Sequence, residues 1–263
     1  MSSQHVVAVM AFARSVDDEA PRLAADLGLT AYETAMMLRA PAPVIVLRSE
    51  DRARADAVLG KLRSRGHDAI TCGLDEVVSS DDMFRPRAFR FEHGDIIGLG
   101  QGAERRLPLT DVFALVRANH ATRIEETVVG RSRKVSLARA VLSGGMLATK
   151  TTERTRVTNE REPVLYVFRS DGPPWFLASM QMRYDGLEEG MKVSKIQNFE
   201  VLVGALRARA PAAVFDARLL AVRASSTVVA SSPTHYGASS AAALDVLAHL
   251  IALSLGRAAR PYR

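Results

Sequence analysis

A single cysteine, Cys72, stands among 263 residues. One thiol cannot close an internal disulfide or build a cysteine-based zinc site, so neither a disulfide scaffold nor a zinc module is expected. Tryptophan is as scarce, with Trp175 alone, and no phenylalanine, tyrosine or tryptophan lies between Phe113 and Tyr166. Single-strand nucleic-acid platforms stack bases on such rings, so this gap counts against one there. Long apolar runs are missing too. The longest, 241–255, carries Asp245 and His249 and is too short to cross a bilayer comfortably. No basic segment precedes the apolar run at 6–13, and Asp17, Asp18 and Glu19 follow it closely, a pattern unlike a signal peptide. A cytoplasmic protein with no membrane span is the expectation.

Familiar catalytic patterns are also lacking. There is no Gly-x-Ser-x-Gly elbow and no Gly-Lys-Ser/Thr phosphate loop. The six histidines never fall at His-x-His or His-x-x-x-His spacing, so no local metal site is encoded. Asp185, Glu188, Glu189 and Lys192 form a loose acidic group, but Gly190 interrupts the strand on which a nuclease would align them. The run Gly98-Leu-Gly-Gln-Gly102 meets Pro108 and a second strand-like segment instead of a helix, which makes it a hairpin turn rather than a dinucleotide cradle. No catalytic residue, metal or cofactor is expected.

What the chain does have is arginine. Of 35 basic residues only five are lysine, and the net charge is +6. The first 82 residues are net acidic and the remainder is net basic, so an anionic ligand would meet the second half. The densest basic cluster is Arg131, Arg133 and Lys134, with Ser136 beside it in a context that basophilic kinases favour; against this stands a plain solvated loop. Trp175 and Phe176 follow the turn Gly172-Pro-Pro174, where they either anchor a partner or cover the end of a core. Arg131, Arg133, Lys134, Trp175 and Phe176 are the candidate partner-binding residues.

Periodicity divides the chain. Residues 5–13 read as a strand. A first helix carries acids and Pro21 near its start and ends at Gly28. Thr30 and Glu33 have capping-box spacing for a second helix that stops before Pro41. A short strand at 44–47, a helix capped by Ser49 with Ala55, Val58, Leu59 and Leu62 on one face, and a strand at 67–72 complete a β-α-α-β-α-β order. The run Asp26-Leu-Gly-Leu-Thr-Ala-Tyr-Glu-Thr-Ala-Met-Met-Leu-Arg-Ala-Pro, with the charged helix ending Leu62-Arg-Ser-Arg-Gly66, resembles the C-terminal domain of the bacterial ribosomal stalk protein over about residues 4–74. That family's partner-binding helices are lysine-rich, whereas this region is acidic. The resemblance implies a small βααβαβ domain with a helix face for a protein contact.

Downstream the pattern turns to strands at 88–93, 95–101, 106–117, 122–129, 147–157, 164–168 and 175–182, with a helix-like piece at 135–142 and an amphipathic helix at 198–209. Strands followed by one helix, together with Arg105-Arg-Leu-Pro-Leu-Thr-Asp-Val-Phe-Ala-Leu-Val, resemble a pleckstrin-homology-like barrel in which 130–146 would be an insertion. The resemblance implies a binding platform. Residues 225–240 are rich in Ser, Ala and Thr, and a last helix at 239–257 is apolar on more than one face, which suits docking on its own chain or a second copy better than lying on a membrane.

The resulting expectation is an α+β protein: a βααβαβ domain at 1–75, a linker at 76–87, a mainly antiparallel β domain with a closing helix at 88–220, and a linker with a C-terminal helix at 221–263. Its expected role is that of a non-enzymatic adaptor or regulatory protein with a protein partner. An anionic ligand or nucleic acid at the basic second domain is the alternative, with the Arg154–Arg156 hairpin assisting Arg131, Arg133 and Lys134. An enzyme with a site assembled from scattered residues is the third reading. Homo-oligomerisation through the last helix is also open.

Overall fold

The computed structural model describes residues 4–100, 102–132, 150–222 and 241–259, with side chains at 121–160 and 257–259 outside the description. The chain forms two compact units. The smaller comprises 121–161 and the larger 1–120 and 162–263.

In the larger unit, β1 (His5–Ala11) alternates apolar side chains between two buried faces. Val7 and Val9 meet Leu23, Leu27, Met37, Val58 and Leu62, whereas Val6, Ala8 and Met10 join a second core. β2 (Val44–Ser49) and β3 (Asp68–Gly73) flank β1 as antiparallel neighbours. Three helices cover the first face: α1 (Val16–Leu27), α2 (Ala31–Leu38) and α3 (Arg52–Ser64). The order is β-α-α-β-α-β.

Caps set the helix ends. Ser15 opens α1, and Gly28 closes it at φ 72°, a left-handed conformation that costs glycine little. Asp17, Asp18 and Glu19 occupy the first turn of α1 as expected, and Pro21 lies inside the helix. Thr30 and Glu33 form both bonds of the capping box. Asp51, not Ser49, caps α3: its Oδ1 accepts the Ala53 and Arg54 amides at 2.8 and 3.2 Å, while Ser49 accepts the Asp51 amide. The α1 and α3 ends are tied by buried charges. Glu19 contacts the Arg65 guanidinium at 2.8 Å and the His67 ring at 2.9 Å without hydrogen-bond alignment, and His67 Nδ1 accepts the Ala13 amide at 3.1 Å. Asp26 takes Arg65 and Lys61 at 2.7 and 2.8 Å; burial works against its ionisation, but these cations hold its carboxyl below the usual range.

The remaining strands build two further sheets. β4 (Ala88–Glu92), β5 (Asp95–Gly100) and β6 (Ala103–Pro108) form an antiparallel meander, so the Gly98–Gly102 run is a hairpin. β7 (Val112–Ser132), β8 (Lys150–Arg169), β9 (Trp175–Ala178) and β10 (Val214–Asp216) lie in the order β10-β7-β8-β9, with β10 parallel to β7. The single strand expected at 106–117 is broken by a 310 turn at Leu109–Asp111, whereas 112–132 runs unbroken through Asn119. Likewise 150–157 and 164–168 fall in one strand, β8, while 147–149 lie outside the described residues.

Two helices fix the layers. α4 (Lys195–Arg209) packs Phe199, Leu202 and Leu206 with Leu115, Leu165 and Leu177 of the β7–β9 sheet and with Phe89, Ile96 and Leu107 of the meander. α5 (Ala241–Ala259) joins the opposite face of the β7–β9 sheet (Val116, Tyr166, Phe176) and the free face of the β1–β3 sheet (Val6, Ile70, Cys72) in one core. Leu244, Val246, Leu247, Leu250 and Ile251 are all buried, as a helix that is apolar all round must be. The last helix therefore docks on its own chain, as the middle layer.

The barrel expected for 88–220 is not formed by the described residues: the strands divide between two open sheets. The physical reason is coverage. The β7–β9 sheet has apolar cores on both faces, so it has no free concave face to close around. Residues 76–87, expected as a linker, include buried Ser80, Met83 and Phe84. The helix-like piece at 135–142 and the stretch 225–240 lie outside the described residues.

Candidate functional site

A chain of hydrogen bonds begins in the core and ends at the surface. Asp245 stands on α5 between Leu244 and Val246 and is buried; a carboxylate unpaired there would be costly. Both oxygens are used. The Tyr166 hydroxyl donates to Oδ1 at 2.7 Å and the Ser80 amide donates to Oδ2 at 2.8 Å. Tyr166 has one hydroxyl proton, and its hydrogen bond to Asp245 uses it. The 2.7 Å contact between His120 Nε2 and the Tyr166 oxygen must then carry a proton from the histidine, so neutral His120 is the Nε2–H tautomer. Burial keeps the His120 pKa below its ordinary value, against Asp245 and Asp81 and together with Arg85. Burial, reinforced by Asp245, pushes the Tyr166 hydroxyl well above its ordinary value.

The chain continues outward from Ser80. Its carbonyl accepts Arg85 Nε at 2.7 Å, and Arg85 Nη2 donates to Asp81 at 2.7 Å. The guanidinium lies over the Phe176 ring, 4.8 Å from its centroid, and that ring is 5.0 Å from His120. Arg85 thus ends a run of fixed groups at a cleft of about 230 Å³, lined also by Asp81, Arg87, Gln181 and Phe176. At neutral pH Tyr166 keeps its proton and His120 stays uncharged, so the interior part of the chain fixes geometry while Arg85 and Arg87 present charge.

No protein-family model, curated protein or solved structure matches the chain.

The residues singled out from sequence fall elsewhere. Trp175 is 2% exposed and sits edge-on to Phe84 with ring centroids 4.7 Å apart. It explains Gly98, because a Cβ there would stand 2.8 Å from the indole. Phe176 is buried beneath Arg85. Both side chains belong to the interior. Arg131 lies on β7, but its side chain, like Arg133, Lys134 and Ser136 altogether, is outside the described residues. The side chains of Arg154 and Arg156 are outside them as well. Asp185, Glu188 and Glu189 are exposed on a 310 segment, with Glu188 at φ 50°.

Sequence reasoning missed His120, Tyr166, Ser80 and Arg85, which no local spacing connects. One signal was present: Asp245 is the single acid of a mainly apolar helix, set between Leu244 and Val246, and a charge there requires partners.

Among the described residues, exposed large apolar side chains gather at two places on or next to helices. On α2, Tyr32 and Met36 are 74% and 52% exposed, one helical turn apart. At the start of α4, Met191, Val193 and Ile196 are exposed within a run, 191–197, that is exposed throughout.

Proposed function

We propose that the chain is a protein-binding adaptor that presents the outer face of α2 to an apolar surface of its partner. One observation carries the reading: Tyr32 and Met36 stand one turn apart in solvent on a helix whose other large apolar residues, Met37 and Leu38, are buried. Residues four apart share a face, so the pair makes one continuous apolar contact, and a Tyr ring offers large area at small entropic cost. Glu33 faces back to Thr30, whose backbone and hydroxyl lower its pKa, and so does not compete for the patch. The resemblance of residues 4–74 to the ribosomal stalk domain supports the use of a helix face, without assigning the same partner.

The test is a crosslinking capture. A photoreactive residue replaces Tyr32 in the full chain, and nuclease-treated lysate is probed at low and high salt. An apolar protein contact keeps its crosslink at high salt, because ionic screening leaves it untouched. The companion variant Met36→Glu, exposed and neutral to stability within about 0.5 kcal/mol, should abolish that crosslink. A crosslink that survives Met36→Glu, or one lost on raising the salt, overturns the reading.

A further inference from the structure

We propose that the cleft between residues 81–87 and β9 binds the oxyanion of a small metabolite, a carboxylate or a phosphate ester, through Arg85 and Arg87 with Gln181 as a neutral donor. The site is independent of the α2 face.

Three observations converge. First, Arg85 is held before any ligand arrives: Nε on Ser80, Nη2 on Asp81, and the Phe176 ring beneath the guanidinium. Among the described residues, Nη1 and the second proton of Nη2 have no hydrogen-bond partner. A planar fork with its orientation already set loses little further entropy on taking an oxyanion. Secondly, the anchor is rigid, because the Ser80 amide is itself bonded to buried Asp245 on the central helix. An exposed arginine needing no more than solvation would not require a tether reaching Tyr166 and His120. Thirdly, Arg87 lines the same cleft, and among the described residues no carboxylate pairs with it.

Asp81 defines the class further. Its side chain is 84% exposed and it already shares one oxygen with Arg85, so the lining carries two positive charges against one negative. That balance suits one oxyanion rather than a polyphosphate. The volume, about 230 Å³, lies below the range that encloses drug-sized ligands, which limits the occupant to a small molecule. A carboxylate and a phosphate ester share this recognition chemistry, since each offers two oxygens to a guanidinium fork.

The experiment titrates the full chain in a chloride buffer of constant ionic strength with inorganic phosphate and, separately, with acetate. The readout is the NMR shift of the Arg85 and Arg87 Nε–H groups and the Gln181 carboxamide. A saturable shift confined to these groups is expected with at least one probe. Arg87→Ala should weaken it about fivefold or more, and Arg87→Lys, which keeps charge but loses the fork, should fall between. Saturation by phosphate alone identifies a phosphate ester as the natural occupant, and saturation by acetate alone a carboxylate. No saturation by either probe up to about 50 mM, an unchanged curve in Arg87→Ala, or equal shifts at remote exposed arginines such as Arg22 overturns the proposal. Arg87 is exposed, so its variants retain the fold.

Discussion

Replacing Tyr166 by phenylalanine removes one oxygen atom and leaves two buried groups without a partner: Asp245 Oδ1 and the Nε2–H of His120. The ring itself keeps its contacts with Phe168 and Phe176. The cost is therefore that of the lost hydrogen bonds. A bond to a charged acceptor contributes about 1.5–3 kcal/mol, and stranding a neutral buried donor costs about 1–3 kcal/mol. Together these give about 2.5–6 kcal/mol. A domain has about 5–15 kcal/mol of stability, so Tyr166→Phe should fold but with a much lower midpoint. Urea denaturation followed by fluorescence of the single tryptophan, Trp175, and by far-ultraviolet circular dichroism measures this, and coincidence of the two curves checks two-state behaviour. A double-mutant cycle with Asp245→Asn should show a coupling of about 0.5–3 kcal/mol. A loss below about 0.5 kcal/mol for Tyr166→Phe, or zero coupling, would refute the view that these groups act as one network.

Further predictions follow from the same structure. Glu19→Ala leaves Arg65 and His67 around an empty buried position and should cost about 3–5 kcal/mol in urea unfolding. Gly100→Ala would place a Cβ 2.3 Å from the Arg85 carbonyl oxygen. It should cost about 1–3 kcal/mol and shift the Arg85 side-chain resonance, whereas Gly60→Ala, which meets nothing, should do neither. His120 and His249 both have pKa values lowered by burial, opposed by Asp245 and Asp81 at the first and by Glu76 at the second. Unfolded, each returns to about 6.5, so below that pH the unfolded chain takes up protons that the folded chain refuses. Their contribution is fully present above about pH 6.5 and declines as pH falls through the folded values, by at most about 1.4 kcal/mol per pH unit for each histidine. Stability should drop between pH 7.5 and 5.5 by about that slope, and less steeply in His249→Phe; a flat profile in the parent chain would contradict the assignment.

The parts of this fold readable in sequence are those determined by neighbours in the chain. The Thr30–Glu33 box and the Gly28 stop each depend on residues a few positions apart, and both form as read. Ser49 was a near miss for the same reason: Ser49 and Asp51 both have capping chemistry, and only the course of β2 decides that Ser49 ends the strand. Long strands were harder. Asn119 reads as a turn residue but lies within β7, where the β8 ladder overrides local preference. β10 is only three residues long and escaped notice because its pairing partner is about a hundred positions away. Distance along the chain hid the candidate site altogether. Ser80 and Asp245 are 165 residues apart, and Tyr166 stands between them in sequence with nothing local to announce its role. Trp175 illustrates the converse: a turn followed by a bulky aromatic reads either as a surface anchor or as the cover of a core, and only packing against Phe84 and Gly98, remote in sequence, distinguishes them.

The placement of α5 also has a consequence in time. β1 leaves the ribosome more than two hundred residues before the helix that covers its second face. At a synthesis rate of about 5–20 residues per second, Val6, Ala8 and Met10 wait roughly 10–50 s for their packing partner. During that interval the β1–β3 sheet has helices on one side and an open apolar surface on the other, the condition under which nascent chains recruit holdases or pair with one another. Contacts this remote also slow closure of the core. Yield in cells should accordingly depend on elongation speed and chaperone supply more than on the stability of the finished protein.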